Sequence, residues 1–242
     1  MNRAIVRLLE RPGVYLAWQR PFVASKLEPV WRHNDRSAIR RVLDVGCGPG
    51  TNSAEFAGAD YLGVDINPAY IAHARRKHTG SFEVADVCSD AIPGRGTYDF
   101  VLVNSLLHHL DDESVSTLLA EVRRYVSADG HVHVIDLELP ERRGIPRTLA
   151  LRDRGDSPRS LPSWRALLTL HFQEVVFEPF AVPSRGPTLW RMVYFKGRNA
   201  SCTGDSDWAP ASLSDEASVA RNTSCSPSVA PARSLGLAAS RT

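Results

Sequence analysis

The sequence predicts an α/β protein built on a doubly wound, mainly parallel sheet. Between residue 40 and about residue 197, short apolar runs alternate with segments of helical periodicity, the pattern of parallel strands joined by helical crossovers. Most of these runs are continuously apolar, as expected of strands covered on both faces. The turn Gly46-Cys47-Gly48-Pro49-Gly50 follows the first run directly. Glycine there lets the chain turn sharply and lets a ligand approach without side-chain obstruction.

The expected strands are 41–45, 60–64, 81–86, 98–104, 131–137, 174–179 and 189–195. Asn67-Pro68 supplies an N-cap and a first-turn proline for a helix running towards Lys77. Asp111 or Asp112 can cap a second helix, whose buried stripe is Val115, Leu118, Leu119, Val122 and Val126. Ser163 can cap a third, carrying Trp164, Leu167, Leu168 and Leu170. Ahead of the first strand, residues 1–39 read as an N-terminal helical cap, from which Tyr15 and Gln19 could close over a ligand. Residues 138–160 interrupt the rhythm with prolines, glycines and charges, and form a candidate lid. Residues 198–242 are rich in Ser, Ala and Pro without apolar periodicity, the composition of a disordered tail.

Composition narrows the function classes. A formal charge of +2 demands neither nucleic acid nor an anionic membrane as partner, and no apolar run approaches the ~20 residues of a membrane span. Cys47, Cys88, Cys202 and Cys225 form no CxxC pair, so neither a disulfide framework nor a zinc site is expected, and a cytoplasmic location is the simpler reading. His131 and His133 share one face of a strand, but no carboxylate or thiol beside them completes a metal site.

Five expected strands carry a polar residue at or near the carboxyl end: Asp44, Asp65, Asp86, Asn104 and Asp136. Ligands of open parallel sheets bind beyond those ends. A carboxylate at the tip of the second strand, Asp65, can accept both hydroxyls of an adenosine ribose. The glycine spacing is Gly-x-Gly-x-Gly, with Thr51 where a dinucleotide site has its last glycine.

The run Val42-Leu43-Asp44-Val45-Gly46-Cys47-Gly48-Pro49-Gly50, with Tyr98-Asp99-Phe100-Val101-Leu102-Val103-Asn104 leading to His108-His109-Leu110, resembles the first and fourth motifs of class I S-adenosylmethionine-dependent methyltransferases of the small-molecule type. The resemblance covers about residues 40–197. It implies a Rossmann-like sheet of seven strands, order 3-2-1-4-5-7-6, with strand 7 antiparallel. It also implies S-adenosyl-L-methionine as methyl donor, held by Asp44, Gly46, Gly48, Gly50, Asp65, Ile66, Asp86, Val87 and Asn104. In the family the acid at Asp86 meets the adenine amino group, and the backbone amide at Val87 meets the ring. His108 and His109 are candidates for a base or for substrate positioning. Asp99, at the opposite end of its strand, orders local backbone.

No Asn-Pro-Pro-Tyr sequence follows the fourth strand, a departure from the enzymes that methylate amino groups of nucleic-acid bases or glutamine, so a small-molecule acceptor methylated on oxygen or carbon is expected, with no nucleic acid, membrane or metal as partner. The arginines of the candidate lid, Arg142, Arg143, Arg147, Arg152, Arg154 and Arg159, form surface ion pairs or recognise an anionic acceptor. Two alternatives remain: a nicotinamide-dependent oxidoreductase, which the glycine spacing and the lack of a Tyr-x-x-x-Lys pair disfavour, and a non-catalytic binding subunit of the same fold.

Overall fold

A computed structural model describes residues 23–89, 92–93, 96–152, 157–184 and 186–200. Tyr15, Gln19, Arg154 and the chain beyond residue 200 lie outside them. The strands are β1 (Arg41–Val45), β2 (Asp60–Asp65), β3 (Ser81–Val84), β4 (Tyr98–Asn104), β5 (Val126–Leu137), β6 (Gln173–Ser184) and β7 (Gly186–Arg198). The helices are α1 (Val23–Arg32), α2 (Pro68–Lys77), α3 (Asp112–Val122), α4 (Ile145–Arg152) and α5 (Leu161–Thr169). The seven strands form one sheet in the order β3-β2-β1-β4-β5-β7-β6. β1 to β5 run parallel to one another, while β7 is antiparallel to both β5 and β6. Order and polarity are those the sequence resemblance implies.

The sheet is covered on both faces. Val42, Phe100, Leu102, Ile135 and Tyr194 meet Leu27 and Val30 of α1, Phe56 of a short 3₁₀ turn, and Ile71 and Ala74 of α2. On the opposite face Leu43, Val45, Val101, Val103, Val132 and Val134 pack against α3 and α5. Val115, Leu118, Leu119 and Val122 of α3 are fully buried, at about 1.5–3 kcal/mol for each large side chain removed from water. This burial accounts for the continuous apolar runs, since neither side of the central strands meets solvent.

Local chemistry sets the boundaries. Asn67 Oδ1 accepts from the amides of Ala69 and Tyr70, and Asp111 Oδ1 from the amide of Ser114, so Asp111 rather than Asp112 caps α3. The cap of α5 is Ser160, not Ser163; Pro162 needs no amide partner and lets the helix begin earlier. β3 stops at Val84, two residues short of expectation, because Asp86 Oδ1 turns back to accept from the amide of Cys88. β5, β6 and β7 are longer than expected. β7 runs to Arg198, and Asn199 Nδ2 donates to the Arg123 carbonyl, so the chain is ordered slightly beyond the expected start of the tail.

The segment 138–160 contains a helix, α4, and is tied to the body at both ends. The amide of Glu138 donates to the Arg191 carbonyl, that of Leu139 to the Arg159 carbonyl, and that of Ser157 to the His108 carbonyl. Among the described residues no helix is long and apolar enough to cross a membrane.

Candidate functional site

The site is built at the carboxyl ends of the parallel strands, around the turn after β1. The amides of Gly46 and Cys47 both donate to the Val64 carbonyl, at 2.8 and 3.0 Å, and the Gly50 amide donates to the Cys47 carbonyl. Gly46, Gly48 and Gly50 have φ of 72°, 56° and 84°, a region in which L side chains are strained. At Gly46 a β-carbon would also come within 2.9 Å of Leu106 Cδ2. The glycines therefore fix a tight turn, in which Gly46 is partly exposed and Gly48 and Gly50 are buried.

Asp44 lies under this turn and is fully buried. Its Oδ2 accepts from the Tyr61 hydroxyl at 2.6 Å and from Asn52 Nδ2 at 3.2 Å. Its Oδ1 is buried and has no hydrogen-bond partner among the described residues. Burial pushes the carboxyl up to about 6 despite those two hydrogen bonds. An unpartnered buried carboxylate oxygen is costly and fits a cationic or hydrogen-bond-donating ligand group.

A polar chain leads away from Asp44 across the crest. Asn104 Nδ2 donates to Asn52 Oδ1 at 3.4 Å, the Ser105 hydroxyl to Asn104 Oδ1 at 3.0 Å, and Lys26 Nζ of α1 to Ser105 Oγ at 3.1 Å. Ser105 has φ of 56°, in the left-handed region, and such strain concentrates at ligand sites. The sequence places Ser105 beside Asn104 at the ligand end of β4, but it does not single out Lys26, Asn52 or Tyr61. Tyr61 had a readable signal, since it alternates with Asp65 along β2 and shares its face. Lys26 had none, because nothing local reveals which strand end α1 crosses.

Asp65 closes β2. Its Oδ2 accepts from the Gly48 amide and its Oδ1 from the Asn67 amide, both at 2.8 Å. Burial raises its carboxyl, and the two amides oppose that shift. Beside it, Ile66 is 64% exposed, and Val84, the register partner of Asp65 on β3, is 48% exposed. Two bare aliphatic side chains at a sheet crest suit a flat apolar ring. Asp86 and Val87 follow β3 in the loop, partly buried. Val87 packs against the core, and Asp86 Oδ1 is engaged with the Cys88 amide.

The two histidines differ. His108 is buried, and its Nδ1–H donates to Asp136 Oδ1 at 2.6 Å. Asp136 Oδ2 accepts from the Leu107 amide at 2.8 Å. Burial works against the Asp136 charge, but His108 and the amides of Leu137 and Leu107 outweigh it and hold the carboxyl below the usual range. His109 is exposed, its ring centroid 4.0 Å from that of His108. Arg159 is buried rather than part of a surface cluster. It donates to the carbonyls of Leu107, Leu110 and Ser157 and to Asp112 Oδ1. It therefore braces the loop that carries the histidines.

Other candidates lie away from this crest. Asp99, at the start of β4, accepts from the amides of Arg40 and Arg41. His133 is buried, stacks on Phe100 at 3.8 Å and hydrogen-bonds the Tyr194 hydroxyl. Burial pushes its ring well below the usual histidine range, consistent with a neutral core residue. Among the described residues no group of three or more His, Cys, Asp or Glu is placed to hold a metal ion.

Residues 42–130 match a family described as "Methyltransferase domain". The trans-aconitate 2-methyltransferase of Methylobacterium nodulans is 36% identical over 120 residues, covering 46% of this chain and 45% of that protein. The malonyl-[acyl-carrier protein] O-methyltransferase of Legionella pneumophila is 32% identical over 100 residues, covering 38% and 34%. The match thus spans less than half the length of either relative. Human N-acetylserotonin methyltransferase, solved in complex with S-adenosylmethionine, shares the fold with a TM-score of 0.57 at 18% identity, covering 81% of this chain and 55% of that one. A glycine turn over an unpartnered buried carboxylate, an acid at the tip of β2, bare aliphatics beside it and a sheet ordered 3-2-1-4-5-7-6 agree with these relationships. Residues 42–130 are thus similar to a methyltransferase domain, and the chain shares the fold of solved S-adenosylmethionine-dependent methyltransferases.

Proposed function

We propose that this chain transfers a methyl group from S-adenosylmethionine to an oxygen or carbon atom of a small-molecule acceptor by direct displacement. The observation that carries this reading is the buried, unpartnered Oδ1 of Asp44 beneath the glycine turn. In this reading Asp44 receives the ammonium of the donor's amino-acid part, and Gly46, Gly48 and Gly50 let that part approach the backbone. Asp65 accepts the ribose hydroxyls with the lone pairs its two amide donors leave free. Ile66 and Val87 bracket the adenine, Asp86 meets its amino group, and Asn104 borders the site at the tip of β4.

When bound, the donor supplies a methyl group on a positively charged sulfur, already activated for displacement. The protein's contribution is then largely to hold the acceptor atom in line. His108, tied to Asp136 in the interior, positions the loop after β4. His109 is the solvent-accessible member of the pair and takes a proton where the attacking atom carries one. Support for a small-molecule acceptor comes from the trans-aconitate enzyme, and for oxygen as the atom methylated from the O-methyltransferase relative.

The test is equilibrium binding followed by turnover. S-adenosylhomocysteine should bind and NAD should not, and labelled methyl groups should move from S-adenosylmethionine to members of a metabolite panel. Binding without any transfer would favour the non-catalytic alternative. Failure of S-adenosylhomocysteine to bind at high micromolar concentration would exclude both.

A further inference from the structure

A cavity of about 550 Å³ opens beside the carboxyl end of β5, beginning at Glu138, the residue after that strand. Its size is within the range of small-molecule sites, and its place beyond the strand ends is where parallel sheets hold ligands. Leu139, Pro140, Pro146, Leu161 and Pro162 give it apolar walls. Its charges are unevenly matched. Glu138 is buried and accepts from Arg191 Nε at 3.0 Å, so that acid is already neutralised. Arg142 and Arg143 line the same cavity and are exposed. Glu141, on the rim, makes no ion pair with them, and neither guanidinium has a hydrogen-bond or ion-pair partner among the described residues.

The surrounding chain is fixed. Arg147 Nη1 donates to the Pro140 carbonyl, and the Leu139 amide is held by the Arg159 carbonyl. The two free guanidiniums are thus carried on a braced loop.

Resting on the methyl-transfer reading above, we infer that this cavity is the acceptor site and that Arg142 and Arg143 receive a carboxylate of the acceptor, whose apolar body lies against the proline and leucine walls. Planar guanidiniums match a carboxylate in geometry and charge. Where that carboxylate is itself the methylated group, its oxygen lone pair forms the new bond to the methyl carbon. The carbon–sulfur bond breaks with its electrons passing to sulfur, and no proton has to move, so no free base is required.

The experiment titrates a panel of aromatic and aliphatic carboxylic acids, each beside its primary amide and a matched phosphate ester, into the protein with and without S-adenosylhomocysteine. Among panel members that bind, carboxylates should bind about tenfold or more tightly than their amides and more tightly than the phosphates, the difference expected of charge-assisted hydrogen bonds. The double variant Arg142→Gln/Arg143→Gln should abolish that preference while S-adenosylhomocysteine affinity stays within about twofold, since both residues lie outside the donor crest. Equal binding of acid and amide, a preference for phosphate, a carboxylate preference that survives in the double variant, or a panel with no binder would each overturn the inference. Loss of S-adenosylhomocysteine binding alone would count against the methyl-transfer reading, while the carboxylate comparison would still report on the cavity.

Discussion

His108 Nδ1 lies 2.6 Å from Asp136 Oδ1, and both side chains are buried beneath the loop that follows β4. In the sequence His108 is a candidate base or substrate-positioning residue; in the structure its ring is hydrogen-bonded to a buried carboxylate. His108→Ala leaves a buried carboxylate uncompensated and should cost about 3–5 kcal/mol of stability, read by urea denaturation. S-adenosylhomocysteine affinity of the folded fraction should be unchanged. Because the Asp136 carboxyl is held below its usual range, the stability it contributes is present at neutral pH and lost as pH falls through its folded value. Asp136→Asn should remove that part of the acid limb.

Arg159 serves three buried or partly buried carbonyls with one planar group. Arg159→Ala should destabilise the protein by about 3 kcal/mol or more, since each orphaned acceptor costs roughly 1–3 kcal/mol. Arg159→Lys should restore less than half of the loss, because an ammonium cannot span the same fork. Differential scanning calorimetry of the two variants measures this. Asp112→Ala, which removes an exposed partner, should change little.

Donor binding should depend on pH through Asp44. Its folded carboxyl titrates at about 6, above the ordinary value of 3.8, so ionising it destabilises the free protein as pH rises from the lower value to the higher. A cationic ligand group prefers the ionised form. S-adenosylhomocysteine affinity should therefore increase as pH rises through about 6 and level off above it. Asp44→Asn should flatten that dependence, with Kd measured by calorimetry across the range.

Gly46→Ala places a side chain at φ of 72° and 2.9 Å from Leu106. The backbone strain alone is about 1–2 kcal/mol, and the displaced turn should weaken donor binding more than tenfold. A Kd equal to that of the wild type would show that the turn does not border the ligand.

The fold and half of the candidate site were legible in the sequence for different reasons. Strand order was implied by the family resemblance that the motifs of β1 and β4 carry, and the continuous apolar runs already implied cover on both faces. Asp44, Asp65 and Asn104 could be placed because strand ends are local features. What could not be read was which distant groups complete each one. Tyr61 and Asn52 reach Asp44, Lys26 reaches Ser105, and Asp136 takes His108 out of solution contact only once β4 and β5 lie side by side. Arg159 looked like one of a run of surface arginines, and its burial depends on carbonyls some fifty residues away in sequence. The early end of β3 was hidden because Asp86 fits a strand end and a turn equally well.

The most direct test of the central claim is a calorimetric titration of S-adenosylhomocysteine into the wild type and Asp65→Ala, with cooperative unfolding checked for both. The wild type should bind at micromolar concentration, and the variant should lose about tenfold or more in affinity through the lost ribose contacts. No binding by the wild type at high micromolar concentration, or the same Kd in both proteins, would contradict a donor site at this crest.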